Sequence, residues 1–287
     1  MKSYNFSHVA PQTLGEVVAL LNDHPGEAKI ISGGQSLMPV LNFRLAKPDL
    51  LVDLRNIHDL NIITCSNHET SLGARVRWVD IEKSTELAFH QPLLQKALSY
   101  VAHYQIRNRG TIGGSLANCD PAAELPLIAL VLEAQIKVIN TKGYRYINIA
   151  DFFLGFMSTS LSKEEVIVEL ILPNFPSHRK WGFEEFSRRK GDFAIAACAV
   201  WFDLSPTGKM ENAHIGVIGA DDYPIRLTEL ENTLNNKVFT SELLDEAIPS
   251  SLNRLSPPVD PQISQAYRLS LITTMIKRAF ANSMSKN

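Results

Sequence analysis

The sequence is poor in the residues that build metal and nucleophilic centres. It has three cysteines in 287 residues, at positions 65, 119 and 198, too far apart for the short ligand spacings of zinc or iron–sulfur sites. Each reads as a small buried apolar residue. The eight histidines are scattered, with no H-E-x-x-H and no i, i+4 pair, and no G-x-S-x-G elbow marks a nucleophilic serine. Neither G-x-G-x-x-G nor G-x-x-x-x-G-K-[ST] occurs, which argues against a nicotinamide Rossmann site and a phosphate-loop nucleotidase. An excess of either charge is also missing. The 28 basic and 30 acidic residues leave a net charge of −2, no footprint for a nucleic-acid backbone. No apolar run reaches the roughly 18 residues of a membrane span, and no signal-peptide core follows the amino terminus, so the expected location is cytoplasmic.

What remains is an ordinary globular composition, 45% hydrophobic and 20% charged, in a chain long enough for two domains. Thr13 followed by Glu16 makes a capping box opening a helix over Val17, Val18, Leu20 and Leu21. Short apolar runs at 29–31 and 50–54 read as buried strands, the first breaking on Ser32, Gly33 and Gly34. The spacing predicts helix over 79–102, a loop over 107–121 and helix again over 122–132. A hairpin over 135–140 and 144–149 and a strand at 166–172 follow, and 173–177 is the expected domain boundary. Beyond it, runs at 194–204 and 210–218 joined at Ser205 to Gly208 read as a second hairpin. Helices at 241–252 and 263–281 end an α+β unit.

Two segments carry chemistry. In the first, a buried strand ending at Ile31 runs into Ser32, Gly33, Gly34, Gln35, Ser36 and Leu37. Glycines permit positive φ and close backbone approach, and successive N–H groups with flanking hydroxyls form an anion cradle. Alone, this segment reads equally as a tight strand-to-helix turn. The second repeats the pattern with Gly110, Thr111, Ile112, Gly113, Gly114 and Ser115. One such turn cradles one phosphate, whereas two in one domain suit an elongated dinucleotide with its diphosphate between them. Downstream, Asp120 before Pro121 reads as a helix N-cap in preference to a ligand contact. Glu124 is either an acceptor for ribose hydroxyls or a charge favoured at a helix start. Arg107 and Arg109 either offset diphosphate charge or pair with surface acids, and Asp192 caps a turn or faces the ligand. Trp78, Trp181 and Trp201 read as packing residues.

Over nearly its whole length the chain resembles the FAD-binding, medium-sized subunit of the molybdenum hydroxylases, the group of carbon monoxide, xanthine, quinoline and nicotine dehydrogenases. The carriers are SGGQSLMPVLNFRLAKPDLLVDL at 32–54, QIRNRGTIGGSLANCDPAAELP at 105–126, EEVIVELILP at 164–173 and FEEFSRRKGDFAIAACAV at 183–200. The resemblance implies an α+β protein: a two-part FAD-binding domain of the vanillyl-alcohol-oxidase type at 1–175, split near 56–60, followed by a smaller α+β carboxy-terminal domain at 178–287. It implies FAD contacts at Ile31, Ser32, Gly33, Gly34, Gln35, Ser36 and Leu37, and at Gly110, Thr111, Gly113, Gly114 and Ser115. Glu124 is then near the sugar and Ile167 near the flavin ring. One departure stands out: Glu184 and Glu185 lie where relatives commonly carry a lysine, with Arg188 and Lys190 as possible replacements for its charge.

The implied activity is electron relay. FAD in this chain takes electrons from [2Fe-2S] clusters in a small subunit, which receives them from a molybdenum cofactor in a large subunit, and passes them to an external acceptor. The expected assembly is a dimer of heterotrimers. The alternative is a free-standing flavin-dependent oxidase or dehydrogenase acting on its own small-molecule substrate.

Overall fold

A computed structural model describes residues 2–285. The chain begins with β1 (Ser7–Val9), α1 (Leu14–Asp23), β2 (Ala28–Ile31), α2 (Leu37–Asn42) and β3 (Leu50–Asp53). These strands form a parallel sheet in the order β1-β3-β2. The central strand β3 is buried at every residue, as a parallel strand covered on both faces must be. Thr13 caps α1 by accepting from the Glu16 N–H at 3.2 Å. The returning bond from the Glu16 carboxylate goes one residue early, to the Gln12 N–H at 2.8 Å.

Next come β4 (Ile63–Cys65), β5 (Glu69–Gly73), α3 (Trp78–Lys83), α4 (Thr85–His90), α5 (Pro92–Leu98), α6 (Tyr104–Arg107), α7 (Ile112–Asn118) and α8 (Glu124–Val131). They are followed by β6 (Gln135–Asn140), β7 (Gly143–Asn148), β8 (Phe153–Gly155), β9 (Ser158–Thr159) and β10 (Val166–Pro173). The second sheet has the order β4-β5-β10-β6-β7, and all of its pairings are antiparallel. Helix α7 packs on its strands β5 and β10, and α8, beside α5 and α7, is buried at every residue, so it shows no polar face.

Three expectations change here. The helix expected over 79–102 is three short ones, broken where Ser84 caps α4 and where Pro92 opens α5. The expected loop at 107–121 contains α7, capped by Thr111, whose hydroxyl accepts from the Gly114 N–H at 3.2 Å. Asp120 is not the N-cap of α8. Its carboxylate accepts from the Ala122 N–H at 2.9 Å, and the helix starts later, at Glu124 after Ala123. A local Asx turn therefore outcompetes the helix start.

The remainder is β11 (Lys180–Phe186), β12 (Ala196–Leu204), β13 (Met210–Ile218), β14 (Ile225–Arg226), α9 (Thr228–Leu234), α10 (Ser241–Leu252) and α11 (Gln265–Ser285). The strands form an antiparallel sheet in that order, of which β11 and β14 lie outside the apolar runs at 194–204 and 210–218. Its two faces serve different cores. Ala196, Cys198, Val200 and Phe202 of β12 pack with α11 and its neighbours, while Ala197, Ala199 and Trp201 join the core around α8. This is why β12 reads as one continuous apolar run. The Trp201 Nε1–H donates to the Val131 carbonyl at 2.6 Å, fastening the sheet to the end of α8. The Trp201 ring lies between His214, stacked with centroids 3.9 Å apart, and the Arg179 guanidinium at 3.7 Å.

Helix α11 approaches β11 so closely that a Cβ on Gly182 would lie 1.9 Å from the Ala279 carbonyl oxygen. Gly182→Ala is expected to destabilise the protein by about 2 kcal/mol through overpacking, read as a fall in the thermal unfolding midpoint.

Candidate functional site

The site forms where the end of β2 meets the start of α7. Its two glycine segments touch through their backbones. A Cβ on Gly33 would lie 2.2 Å from the Arg109 carbonyl oxygen and 2.9 Å from Gly110 Cα, so a side chain there would force the segments apart. The Thr111 hydroxyl, which accepts from Gly114, donates to the Ser32 hydroxyl at 3.1 Å. That chain of donors leaves the Ser32 hydrogen free to point outward.

The two segments differ in what their backbones offer. Gly34 has φ +70°, and the turn is held by the Met38 N–H donating to the Gly34 carbonyl at 3.0 Å and by Gln35 Nε2 donating to the Gly33 carbonyl at 3.0 Å. Among the described residues, no protein group accepts from the N–H of Gly33, Gly34, Gln35 or Ser36. Gly33, Gly34 and Gln35 are half-buried and Ser36 is exposed; half-buried N–H groups are rarely left so, and a consecutive row of them suits an anion.

The second segment is bonded within the protein at every N–H but that of Thr111. Ile112 and Gly113 donate to the carbonyls of Val76 and Ala74 at 3.0 and 2.8 Å, and Ser115 donates to the Thr111 carbonyl at 2.9 Å. Its glycines serve packing rather than a cradle. A Cβ on Gly113 would sit 2.6 Å from Ala74 Cβ, and one on Gly110 would sit 3.0 Å from the Trp78 indole. The groups it presents are the Thr111 and Ser115 hydroxyls. Ile31 and Leu37, both half-buried, flank the first segment.

Other expected residues are placed as follows. Arg107 is structural: its Nη1 donates to the Val101 and Ala102 carbonyls, each at 3.0 Å. Arg109 is exposed at the rim. Ile167 is 5% exposed, within the core on β10, the strand under α7. Glu124, 9% exposed, begins α8 beyond α7, and burial pushes its carboxyl up to about 7. Burial raises Asp120 as well. The Asp192 N–H donates to the Arg189 carbonyl at 3.0 Å within an exposed turn. Gly191 of that turn, φ +87°, sits against Ala102 and His103, which lead into α6.

Sequence reasoning noticed Glu184 and Glu185 without separating them. Glu184 accepts from Asn282 Nδ2 of α11 at 2.5 Å. Glu185 points to the opposite face, and both of its buried carboxyl oxygens are without a hydrogen-bond partner. Burial first, and then the charge of Glu124, push Glu185 up to about 8. Strand alternation, with Glu184 needed by α11, is the signal that could have singled it out.

Comparison with known proteins agrees over the whole chain. The profile of the family described as "FAD binding domain in molybdopterin dehydrogenase" matches residues 4–175, and that of "CO dehydrogenase flavoprotein C-terminal domain" matches 181–283. The 6-hydroxypseudooxynicotine dehydrogenase complex subunit alpha of Paenarthrobacter nicotinovorans is 37% identical over 286 residues, 100% of this chain and 97% of the relative. Among solved structures, carbon monoxide dehydrogenase from Hydrogenophaga pseudoflava superimposes with a TM-score of 0.96 at 32% identity, covering 99% of each chain. Quinoline 2-oxidoreductase from Pseudomonas putida 86 gives 0.94 at 36%, covering 99% of this chain and 98% of that one. With both parts of its length matched and its fold shared throughout, the chain belongs to the FAD-binding medium subunits of the molybdenum-containing hydroxylase family, oxidoreductases of the xanthine dehydrogenase type.

Proposed function

We propose that Ser32, Gly33, Gly34, Gln35 and Ser36 hold the FAD diphosphate from one side, with Thr111 and Ser115 facing it from the other. The carrying observation is the row of unpartnered N–H groups at 33–36 beside the Ser32–Thr111 hydroxyl pair. This donor set fits the cofactor. It is neutral and without protein acceptors among the described residues, and each hydrogen bond to a charged oxygen contributes about 1.5–3 kcal/mol. Gly110, Gly113 and Gly114 keep α7 close enough for the two hydroxyls to reach. Ile31 and Leu37 supply apolar flanks, Glu124 accepts from sugar hydroxyls, and Ile167 belongs to the apolar wall behind α7.

When bound, FAD supplies the capacity to accept electrons singly and release them singly or in pairs. The chain's own part is to fix the cofactor by its diphosphate, exclude water with the wall around α7 and α8, and set the hydrogen bonding near the ring. The electrons come from the [2Fe-2S] clusters of a small subunit, ahead of which a large subunit with the molybdenum cofactor oxidises the substrate, and they leave to an external acceptor. The assembly is a dimer of heterotrimers in the cytoplasm. Names such as "complex subunit alpha" support a multi-subunit setting, and no helix among the described residues is long and apolar enough to cross a membrane. The unit at 1–175, parted near 56–60, carries the cofactor, and the unit at 178–287 covers it.

Two outcomes are expected. Gly33→Ala weakens FAD binding about thirtyfold, corresponding to roughly 2 kcal/mol, in a fluorescence titration, and also lowers the unfolding midpoint, because its Cβ meets the Arg109 carbonyl. Purified with its partner subunits, the protein shows flavin absorption and reduces an acceptor only when all chains are present. Substrate turnover by this chain alone would contradict the relay.

A further inference from the structure

Strand β7 borders the five-stranded sheet, with no strand beyond it. Its hairpin with β6 keeps one continuous register from Asn140↔Gly143 to Gln135↔Asn148, and the Ile149 N–H extends it by donating to the Ala134 carbonyl at 2.9 Å. Antiparallel pairs alternate between bonded and unbonded, so that bond fixes the phase. Residues 143, 145, 147 and 149 turn their N–H and C=O groups to β6, and Tyr144, Tyr146 and Asn148 turn theirs outward. Among the described residues, no protein group accepts from these three N–H groups or donates to these three carbonyls. All three residues are exposed. Natural sheets blunt such an edge with proline, a bulge, a free charge or a very short strand. Strand β7 has six residues, no proline and no break in its pairing, whereas β4, the opposite border, has three. Its one charged residue, Arg145, is bound to its own chain, with Nε and Nη2 donating to the two Glu165 carboxylate oxygens at 2.6 and 2.7 Å.

A row of free outward groups is a template for an added strand, and the residues along β7 select which strand. We propose that two copies of this chain associate edge to edge through β7, antiparallel and about a twofold axis at Tyr146, joining two five-stranded sheets into one. In that register Tyr146 lies opposite the copy's Tyr146 and Tyr144 opposite its Asn148, so every outward N–H and C=O of 144, 146 and 148 is bonded. Moving the axis by one residue would set Arg145 opposite Arg145, a like-charge pair that destabilises, whereas here Arg145 meets Ile147. The ends are complementary as well. Lys142 leads into the strand and Asp151 follows it, both exposed, and antiparallel pairing brings each copy's Lys142 to the end where the other carries Asp151. A parallel addition would bring like charges together. Tyr144 and Tyr146, 58% and 57% exposed, share a face, and the pairing lines up the tyrosines of both copies there, where aromatic cross-strand neighbours attract. The contact does not rest on the cofactor reading.

Sedimentation of the full chain over roughly 1 to 200 µM, the range of a small transient interface, is expected to show a monomer–dimer equilibrium. Tyr146→Pro removes an outward N–H and none that serves β6, a change edge strands tolerate. Tyr146→Lys sets two like charges at the axis and keeps the test open should the proline variant unfold. Each is expected to weaken the dimer by about tenfold or more with an unchanged circular dichroism spectrum. Crosslinking reads the register. Opposite Cα atoms of a bonded pair are about 5.5 Å apart, within disulfide reach, so mild oxidation is expected to link Tyr146→Cys to its copy. Tyr144→Cys, which lies four positions along the strand from its own copy, is expected to stay unlinked, both measured against the wild type with its three free cysteines. A monomer throughout the range, a dimer unchanged in both Tyr146 variants, or crosslinking through residue 144 and not 146 would overturn the proposal. A monomer whose 144, 146 and 148 amides become protected from exchange only with the partner subunits bound would give the edge to one of them and overturn it equally.

Discussion

The contact on which the site depends is a bare backbone against a carbonyl, Gly33 against Arg109. A Cβ at residue 33 would come within 2.2 Å of the Arg109 oxygen, closer than atoms in a packed interior approach. Only a glycine lets the turn after β2 lie on the segment before α7. That seating brings the Ser32 and Thr111 hydroxyls, 79 residues apart in sequence, within 3.1 Å. It also brings beside them four consecutive N–H groups with no acceptor among the described residues. A parallel sheet of three strands supports one half of this contact and an antiparallel sheet of five the other, so the cradle lies at the junction of two separately built layers.

The third layer belongs to the same construction. Because β12 is apolar on both faces, the carboxy-terminal sheet shares a core with α8 and another with α11. The Trp201 indole bonds the end of α8 and is held between His214 and Arg179. This arrangement brings a strand of the second unit alongside the start of α8, and with it Glu185 toward Glu124. The charge of Glu124 on the first unit thus helps raise the Glu185 carboxyl of the second.

Much of this was legible in the residues. The glycine pairs are local signals, and strand β3 and the hairpin of β6 and β7 announce themselves by apolar runs and turn chemistry. The reason for each glycine was not legible. Gly34 has the positive φ that the turn asks for, but Gly113 is small because Ala74 lies against it and Gly33 because Arg109 does. Such reasons are tertiary. Asp120 before Pro121 looks like a helix start and instead makes an Asx turn, since a short-range bond to Ala122 competes with the cap. Strand β11, with two adjacent glutamates, lacks the apolar alternation of a strand. Its acids are explained only by what each face meets, Asn282 at Glu184 and α5 on the side of Glu185.

The central claim is that free backbone donors at 33–36, and not those of the second segment, hold the diphosphate. Residue-resolved amide hydrogen exchange, with and without FAD, tests it most directly. The account predicts that the amides of Gly33, Gly34, Gln35 and Ser36 exchange readily in the free chain and become protected when FAD binds. It predicts that Ile112, Gly113 and Ser115, already bonded to protein carbonyls, are protected in both states. Protection that appeared on 112–115 while 33–36 stayed unchanged would contradict it.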